Sequence, residues 1–303
     1  MVTVSVIVTV YNSESTVKKV ISSIKNQIGV GINFKLEIIV IDDCSTDKSF
    51  SILKDMGIIL HKNKSNSGGP NKGRNLGMKL AKGEFICFCD HDDLWNNDKI
   101  IKMLEFRNLA PIISSGYIVN DLQSSRVIKR IKYSSKSKYL KYEKNISFFS
   151  KLTKSNSGQN LYLGSLMIHK DLKKIKFEEH FGMVDYDWIL KILHKNSSIE
   201  VCESLYTRNV KKDNLSLERN YRKNDFEITH KAIKSFSQLY PKKSITGIKK
   251  LHGSYARYFY LVDDMVKART HFLNSDFSLK NILYFITTFA GSKFVKKYFN
   301  VFG

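Results

Sequence analysis

Acidic residues are the first shortage in this 303-residue chain: 28 aspartates and glutamates face 50 lysines and arginines, a formal net charge of +22. That excess fits either a lysine-rich soluble surface or polyanionic partners such as phosphorylated substrates, anionic lipid or nucleic acid. Cysteine is scarce as well. The four present (Cys44, Cys87, Cys89 and Cys202) form no CxxC pair. Cys87 and Cys89 alternate with Ile86 and Phe88, the pattern of buried thiols in a strand rather than of zinc ligands. A reducing, cytoplasmic setting is therefore expected. The start, "MVTVSVIVTVYN", lacks the basic residues and small-residue cleavage site of a signal peptide. No apolar run reaches the roughly 18–20 residues that span a bilayer, and "NILYFITTFAG" is too short. No GxGxxG follows a strand, which argues against a dinucleotide fold. In "SNSGGPNKGRN", Gly68 and Gly73 have Walker spacing, but Arg74-Asn75 replaces the required Lys-Ser/Thr.

At 42% hydrophobic residues, the chain can bury one large core or two smaller ones. The first half alternates strand and helix. "TVSVIVTV" reads as a buried strand. Asn12 or Ser13 can cap a helix whose apolar stripe is Val17, Val20, Ile21, Ile24 and Ile28. "LEIIVI" is a second buried strand and ends in "DDCSTD". A short helix (Phe50, Ile52, Leu53, Met56), the strand "GIILH" and the glycine-rich loop follow. Then come a helix stopping at Gly83 and the strand "EFICFC". This order predicts a mainly parallel sheet flanked by helices, with ligands at the carboxyl ends of the strands. Val10–Asn12, Asp42–Asp43 and Asp90–Asp93 lie at such ends.

From Arg126 to Lys154, ten basic residues face a single acid, Glu143, and read as an exposed loop or substrate-facing insert. A strand "LYLGSLMIH" and an acidic helix start "GMVDYDWILKIL" come next. Beyond about Ser216, "DFEITHKAIKSFSQLY", "GSYARYFYLVDDMVKA" and "NILYFITTFAGSKFVKKYF" predict amphipathic helices. The basic, aromatic tail "SKFVKKYFNVFG" suits either an anionic membrane face or an ordinary core helix.

The stretch "FCDHDDLW" packs Asp90, Asp92 and Asp93 within four positions. In an extended segment Asp90 and Asp92 share a side. Two such carboxylates suit a hard cation, Mn²⁺ or Mg²⁺, that keeps sites free for phosphate oxygens. An acidic surface turn is the plainer alternative. His91 beside Asp92 invites comparison with HD phosphohydrolases, but the further helical histidines they need are not in position, so His91 is read as structural. Lys72 and Arg74 in the glycine-rich loop would face a crevice containing acids, as a metal-bridged diphosphate requires.

Four ordered segments carry a resemblance: "VSVIVTVYNSESTVKKVISSIKNQ", "LEIIVIDDCSTDKS", "NSGGPNKGRNLGMKLAKGEFICFCDHDDLW" and "FGMVDYDWILKIL". Together they cover about residues 1–110 and 160–216, and they resemble a family 2 glycosyltransferase with a GT-A fold. The resemblance implies an inverting, metal-dependent hexosyltransferase-type enzyme. It would move a sugar from a nucleotide-diphosphate donor, usually a UDP-sugar, to a saccharide or lipid-linked acceptor in surface polysaccharide or glycolipid synthesis.

It also implies site residues. Val10 and Tyr11 would line the nucleotide pocket, with Glu14 behind them. Asp43 would accept a hydrogen bond from the base while Asp42 supports the loop; capping the next helix is the alternative for Asp43. Lys72 and Arg74 would face the donor, an exposed helix residue being the alternative for Arg74. Asp90 would serve ribose or metal, and Asp92 the metal. Asp185 matches the aspartate of the family's Glu-Asp motif, the general base. Val184 replaces the glutamate, which leaves Asp187 as the alternative base. Arg208, Lys211 and Lys212 resemble a loop that closes over the donor. The division implied is a GT-A domain over 1–216 and a helical extension over 217–303. Within the first, 1–110 is the nucleotide-sugar half and 111–216 the acceptor and base half, with a basic insert at 126–154. The implied setting is the cytoplasm or the inner face of the cell membrane. A polyanion-binding protein would explain the charge but not the acid cluster, so no nucleic-acid partner is expected.

Overall fold

Seven consecutive residues, Val4 to Val10, are buried in the first strand, which is therefore an interior strand of its sheet with both faces covered. The computed structural model describes residues 1–134, 137–155, 158–210 and 219–291. Lys136, Lys211, Lys212, the 216/217 boundary and the tail 292–303 lie outside the described residues. The strands are β1 (Val2–Val10), β2 (Phe34–Asp42), β3 (Ile59–Lys62), β4 (Phe85–Asp90), β5 (Leu94–Trp95), β6 (Ile112–Asp121), β7 (Arg126–Arg130), β8 (Tyr139–Tyr142), β9 (Leu166–His169) and β10 (Ser198–Val210). The α-helices are α1 (Val17–Lys25), α2 (Ser49–Lys54), α3 (Pro70–Leu80), α4 (Lys99–Leu104), α5 (Ile146–Leu152), α6 (Tyr186–Leu193), α7 (Arg219–Lys234), α8 (Pro241–Leu261), α9 (Met265–Leu273) and α10 (Leu279–Thr287).

Among the described residues one sheet holds all ten strands, in the order β3-β2-β1-β4-β9-β6-β10-β5, with β7 on β6 and β8 on β10. The half β3-β2-β1-β4 is parallel. Beyond it the sheet is mixed, because β9 runs antiparallel to both β4 and β6. Register sets the site: Val10 is paired with Asp42 and Thr9 with Asp90, so three parallel strands end almost level. Helix α3 lies close over β1. A Cβ at Gly77 would stand 2.4 Å from the Ile7 side chain, so only glycine permits this approach.

Several local expectations are corrected. Thr16, not Asn12 or Ser13, occupies the N-cap position of α1, and Ile28 lies past the helix end, 57% exposed. The glycine-rich loop is shorter than expected, because Pro70 already begins α3, where its fixed φ and missing N–H suit the first turn. The basic stretch is not a loop. Residues 126–130 and 139–142 are strands paired with β6 and β10, and 146–152 is helix. Lysines and arginines on edge strands face water and cost little there, so the charge hid the strands. "LYLGSLMIH" contains a 3₁₀ turn at Leu163–Ser165 before the short β9.

The chain divides into two compact units, residues 1–148 with 158–222, and 149–157 with 223–303. In the second unit, Ala256, Phe259, Tyr260, Ala268, Phe272 and Tyr284 form a small core. The helix expected across "GSYARYFYLVDDMVKA" breaks at Asp263, which takes φ +64°, and Asp264 caps α9 by accepting the Lys267 amide at 3.2 Å. Helix α10 exposes Leu279, Ile282, Leu283 and Ile286, a spacing that places them on one stripe. No helix among the described residues is long and apolar enough to cross a membrane.

Candidate active site

Two loops at the level strand ends are laced together by short polar side chains. The amides of Asn12 and Ser13 donate to Ser45 Oγ and Ser49 Oγ at 3.0 and 2.7 Å, and Thr46 N donates to Asn12 Oδ1 at 2.9 Å. Glu14 is exposed and accepts the Lys48 amide at 3.0 Å. Val10 is buried, its carbonyl taking the Asp43 amide at 2.7 Å, while Tyr11 projects outward, 42% exposed. Asp42 is fully buried; one oxygen accepts Ser45 N at 3.1 Å, and the other has no hydrogen-bond partner among the described residues. Asp43 does not cap α2. Its carboxylate holds the neighbouring loop, accepting from Asn63 Nδ2 at 2.6 Å and from the amide and hydroxyl of Ser67 at 2.9 Å each. Base recognition by Asp43 would have to use its remaining lone-pair capacity.

The three aspartates at and just beyond the end of β4 have different surroundings. Asp93 is 1% exposed and accepts from the Tyr206 hydroxyl and from the Asn209 amide, the latter at 2.8 Å. Burial, and then the charges of Asp90 and Asp92, push its carboxyl well above the usual carboxylate range. Asp90 goes the other way. Burial would raise it, but the Arg74 guanidinium, helped by His91 and Arg208, holds it below the ordinary value. Arg74 Nη2 lies 2.9 Å from Asp90 Oδ1, Nη1 donates to Asn71 Oδ1 at 3.0 Å, and the guanidinium sits over the Phe177 ring at 5.5 Å. Arg74 is thus buried on a helix and turned inward. Lys72, two residues before it, is exposed on α3 and takes no part in this pair.

Tyr162, Tyr206 and Asn209, which the sequence did not single out, complete the site. The Tyr162 hydroxyl stands 3.5 Å from Asp90 Oδ2, and the Arg208 guanidinium lies 4.9 Å over the Tyr162 ring. Arg208 Nε is buried with no hydrogen-bond partner among the described residues. Asn209 Nδ2 donates to the Asp92 carbonyl at 2.6 Å, so strand β10 ties itself to the acidic turn three times, once through Tyr206 and twice through Asn209. Burial raises the Tyr162 hydroxyl well above its ordinary value, and Asp90, Asp93 and Asp185 add to the shift. Asp185 therefore stands within electrostatic reach of the same ring as the strand-end acids. It occupies the N-cap position of α6 without a capping bond. Asp187 instead pairs with Lys191 at 2.9 Å, one turn along the helix, and is 6% exposed. Val184 is buried where the family's glutamate would stand.

Among the described residues there is no group of three or more His, Cys, Asp or Glu that could hold a metal by itself. The chemistry of the half-buried carboxylate of Asp92 and of the Asp90 oxygen turned away from Arg74 suits a hard cation, whose remaining positions phosphate oxygens and water would have to fill.

A central multi-strand sheet flanked by helices, parallel in the half that carries the acids, is an α/β fold of the GT-A type. A crystal structure of Staphylococcus aureus TarS 1-349 in complex with UDP-GlcNAc shares it, with TM-score 0.60 and 18% identity over 97% of this chain and 91% of that one. Residues 5–160, just over half the chain, match glycosyl transferase family 2, and the chain belongs to that family. Among curated relatives, the poly(ribitol-phosphate) beta-N-acetylglucosaminyltransferase TarS of S. aureus (strain Mu50 / ATCC 700699) is 38% identical over 104 residues, 33% of this chain and 18% of that protein. The UDP-Glc:alpha-D-GlcNAc-diphosphoundecaprenol beta-1,3-glucosyltransferase WfaP of Escherichia coli is 36% identical over 124 residues, 39% of this chain and 47% of that protein. The chain thus covers less than half the length of either relative.

Proposed function

We propose that this protein is an inverting glycosyltransferase that takes a sugar from a nucleotide-diphosphate donor, a UDP-sugar, to a hydroxyl of a saccharide or lipid-linked saccharide. The observation that carries this reading is the chain of contacts in which Arg74 holds Asp90, the Tyr162 hydroxyl faces Asp90, and Arg208 lies over the Tyr162 ring. Val10, Tyr11 and Asp43 border the place of the nucleoside, with Asp42 and Glu14 bracing their loops. Arg74 fixes the ionised state of Asp90, and Arg208 offers its unpaired Nε–H toward donor phosphate. A Mn²⁺ or Mg²⁺ held by Asp92 and Asp90 would supply charge neutralisation for the departing diphosphate. Asp185 takes the proton of the acceptor hydroxyl, a contribution of about 10²–10⁴-fold, and attack from the face opposite the leaving group inverts the anomeric carbon. The α10 stripe and the net charge of +22 support peripheral contact with an anionic lipid surface that presents lipid-linked acceptors.

Incubation with UDP-, GDP- and dTDP-sugars in the presence of Mn²⁺ tests the reading. Slow hydrolysis of UDP-sugars, abolished by EDTA and by Asp92→Ala, is expected. No turnover or binding of any donor would remove the enzymatic reading, and full turnover in Asp92→Ala would remove the metal role.

A further inference from the structure

One fully buried side chain joins the two halves of this site, and no role assigned so far uses it. Asn71, in the first turn of α3, is 0% exposed. Its Oδ1 accepts from Arg74 Nη1 at 3.0 Å, and Arg74 in turn holds Asp90. Its Nδ2 donates twice, to the Glu178 carbonyl and to the Val184 carbonyl, each at 2.9 Å. Its backbone amide donates to Gly182 O at 2.8 Å. A side-chain amide has two N–H donors and one carbonyl acceptor, and here both donors and the acceptor are engaged. One turn on, Asn75 grips the same loop, bonding both the amide and the carbonyl of Phe177, at 2.9 and 3.0 Å. Gly69 lets the backbones meet: a Cβ there would stand 2.4 Å from Gly182 O.

The Val184 carbonyl belongs to the same peptide plane as the Asp185 amide. A bond to that oxygen therefore orients the residue carrying the base carboxylate. We infer that Asn71 is a positioning residue that couples the donor side, Arg74 and Asp90, to the acceptor side, Asp185, so that filling the donor side steadies loop 178–185. The inference rests on the donor-site reading given above.

Hydrogen exchange on the full chain, with and without UDP and Mn²⁺, tests it. In the wild type, UDP·Mn²⁺ should slow exchange at least tenfold in peptides over 86–95 and also over 178–187. Asn71→Ala should keep the first protection and lose the second. Asn71→Asp keeps an acceptor for Arg74 but cannot donate to the two carbonyls, so it should behave the same way and serves if Asn71→Ala fails to fold. A merely structural role would lower Tm and leave both protections in place. Equal protection of 178–187 in wild type and a folded variant overturns the coupling, as does a wild type protected only at 86–95. A wild type protected in neither segment refutes the donor site itself, and this inference with it.

Discussion

Replacing Arg74 by methionine keeps most of the apolar stem and deletes the guanidinium that holds Asp90. The pair is largely buried, with side-chain exposures of 7% and 28%. Removing one partner of a fully buried ion pair costs about 3–5 kcal/mol, because the other charge is left uncompensated. Asp90 keeps some access to water and Arg208 remains nearby, so the cost here falls at or just below the low end of that range, about 2–3 kcal/mol. For a unit of this size each kcal/mol lowers Tm by roughly 2–4 °C, which gives a fall of about 4–12 °C. Urea and thermal unfolding at pH 7, followed by circular dichroism, would measure it. The control is the double variant Arg74→Met, Asp90→Asn, in which the stranded charge is gone; it should recover at least half of the loss. A single variant as stable as the wild type, or a double variant no better than the single, would refute the argument that Arg74 exists to hold a charged Asp90.

Asp185→Asn should cut sugar transfer by about 10²–10⁴-fold, whereas Asp187→Asn, which weakens the pair that the buried Asp187 makes with Lys191 one turn along α6, should stay within tenfold; the opposite ranking in initial rates would make Asp187 the base. In the helical unit, His252 Nδ1 and His271 Nδ1 face each other at 2.9 Å, and burial, with His271 and His230 beside it, lowers the His252 pKa to about 4. A depressed histidine gives stability that is present above pH 6.5 and lost as pH falls from 6.5 toward 4. Because the ring is only half-buried, the loss is about 1–2 kcal/mol; unchanged urea midpoints between pH 7.5 and 4.5 would contradict it. Flotation with phosphatidylglycerol-containing vesicles should capture the wild type and release the variant Leu283→Glu, Ile286→Glu; equal capture of both would discard the α10 stripe as a lipid contact.

The parallel half of the sheet was legible because β1, β2 and β4 are short runs of buried apolar residues ending in polar clusters, a pattern with few other readings. Strands β7 and β8 were not, since a sheet edge demands backbone pairing and tolerates almost any charge. Within the site, Asp90, Asp92 and Arg74 stood out by spacing, but Tyr162, Tyr206 and Asn209 did not. Their place near the acids depends on β10 and the turn before β9 arriving from over a hundred and from about seventy residues away. In the buried network of Asp93, Tyr206 and Asn209, only Asp93 carried a local signal, as the third member of a crowded acidic run. Asn71 is a case of a different kind: its surroundings come from the 177–184 loop, and an asparagine after Pro70 gives no hint of them.

The pairing of Val10 with Asp42 and of Thr9 with Asp90 acts as a ruler. A shift of β1 by one residue against either neighbour would send every side chain on it to the opposite face and set the acids at different heights. Strand length in this half is therefore fixed to the residue, while β7, β8 and the loops around them hang from the far side of β9 and are free to lengthen or shorten. Changes of length can accumulate there without altering the level at which the acidic strand ends lie.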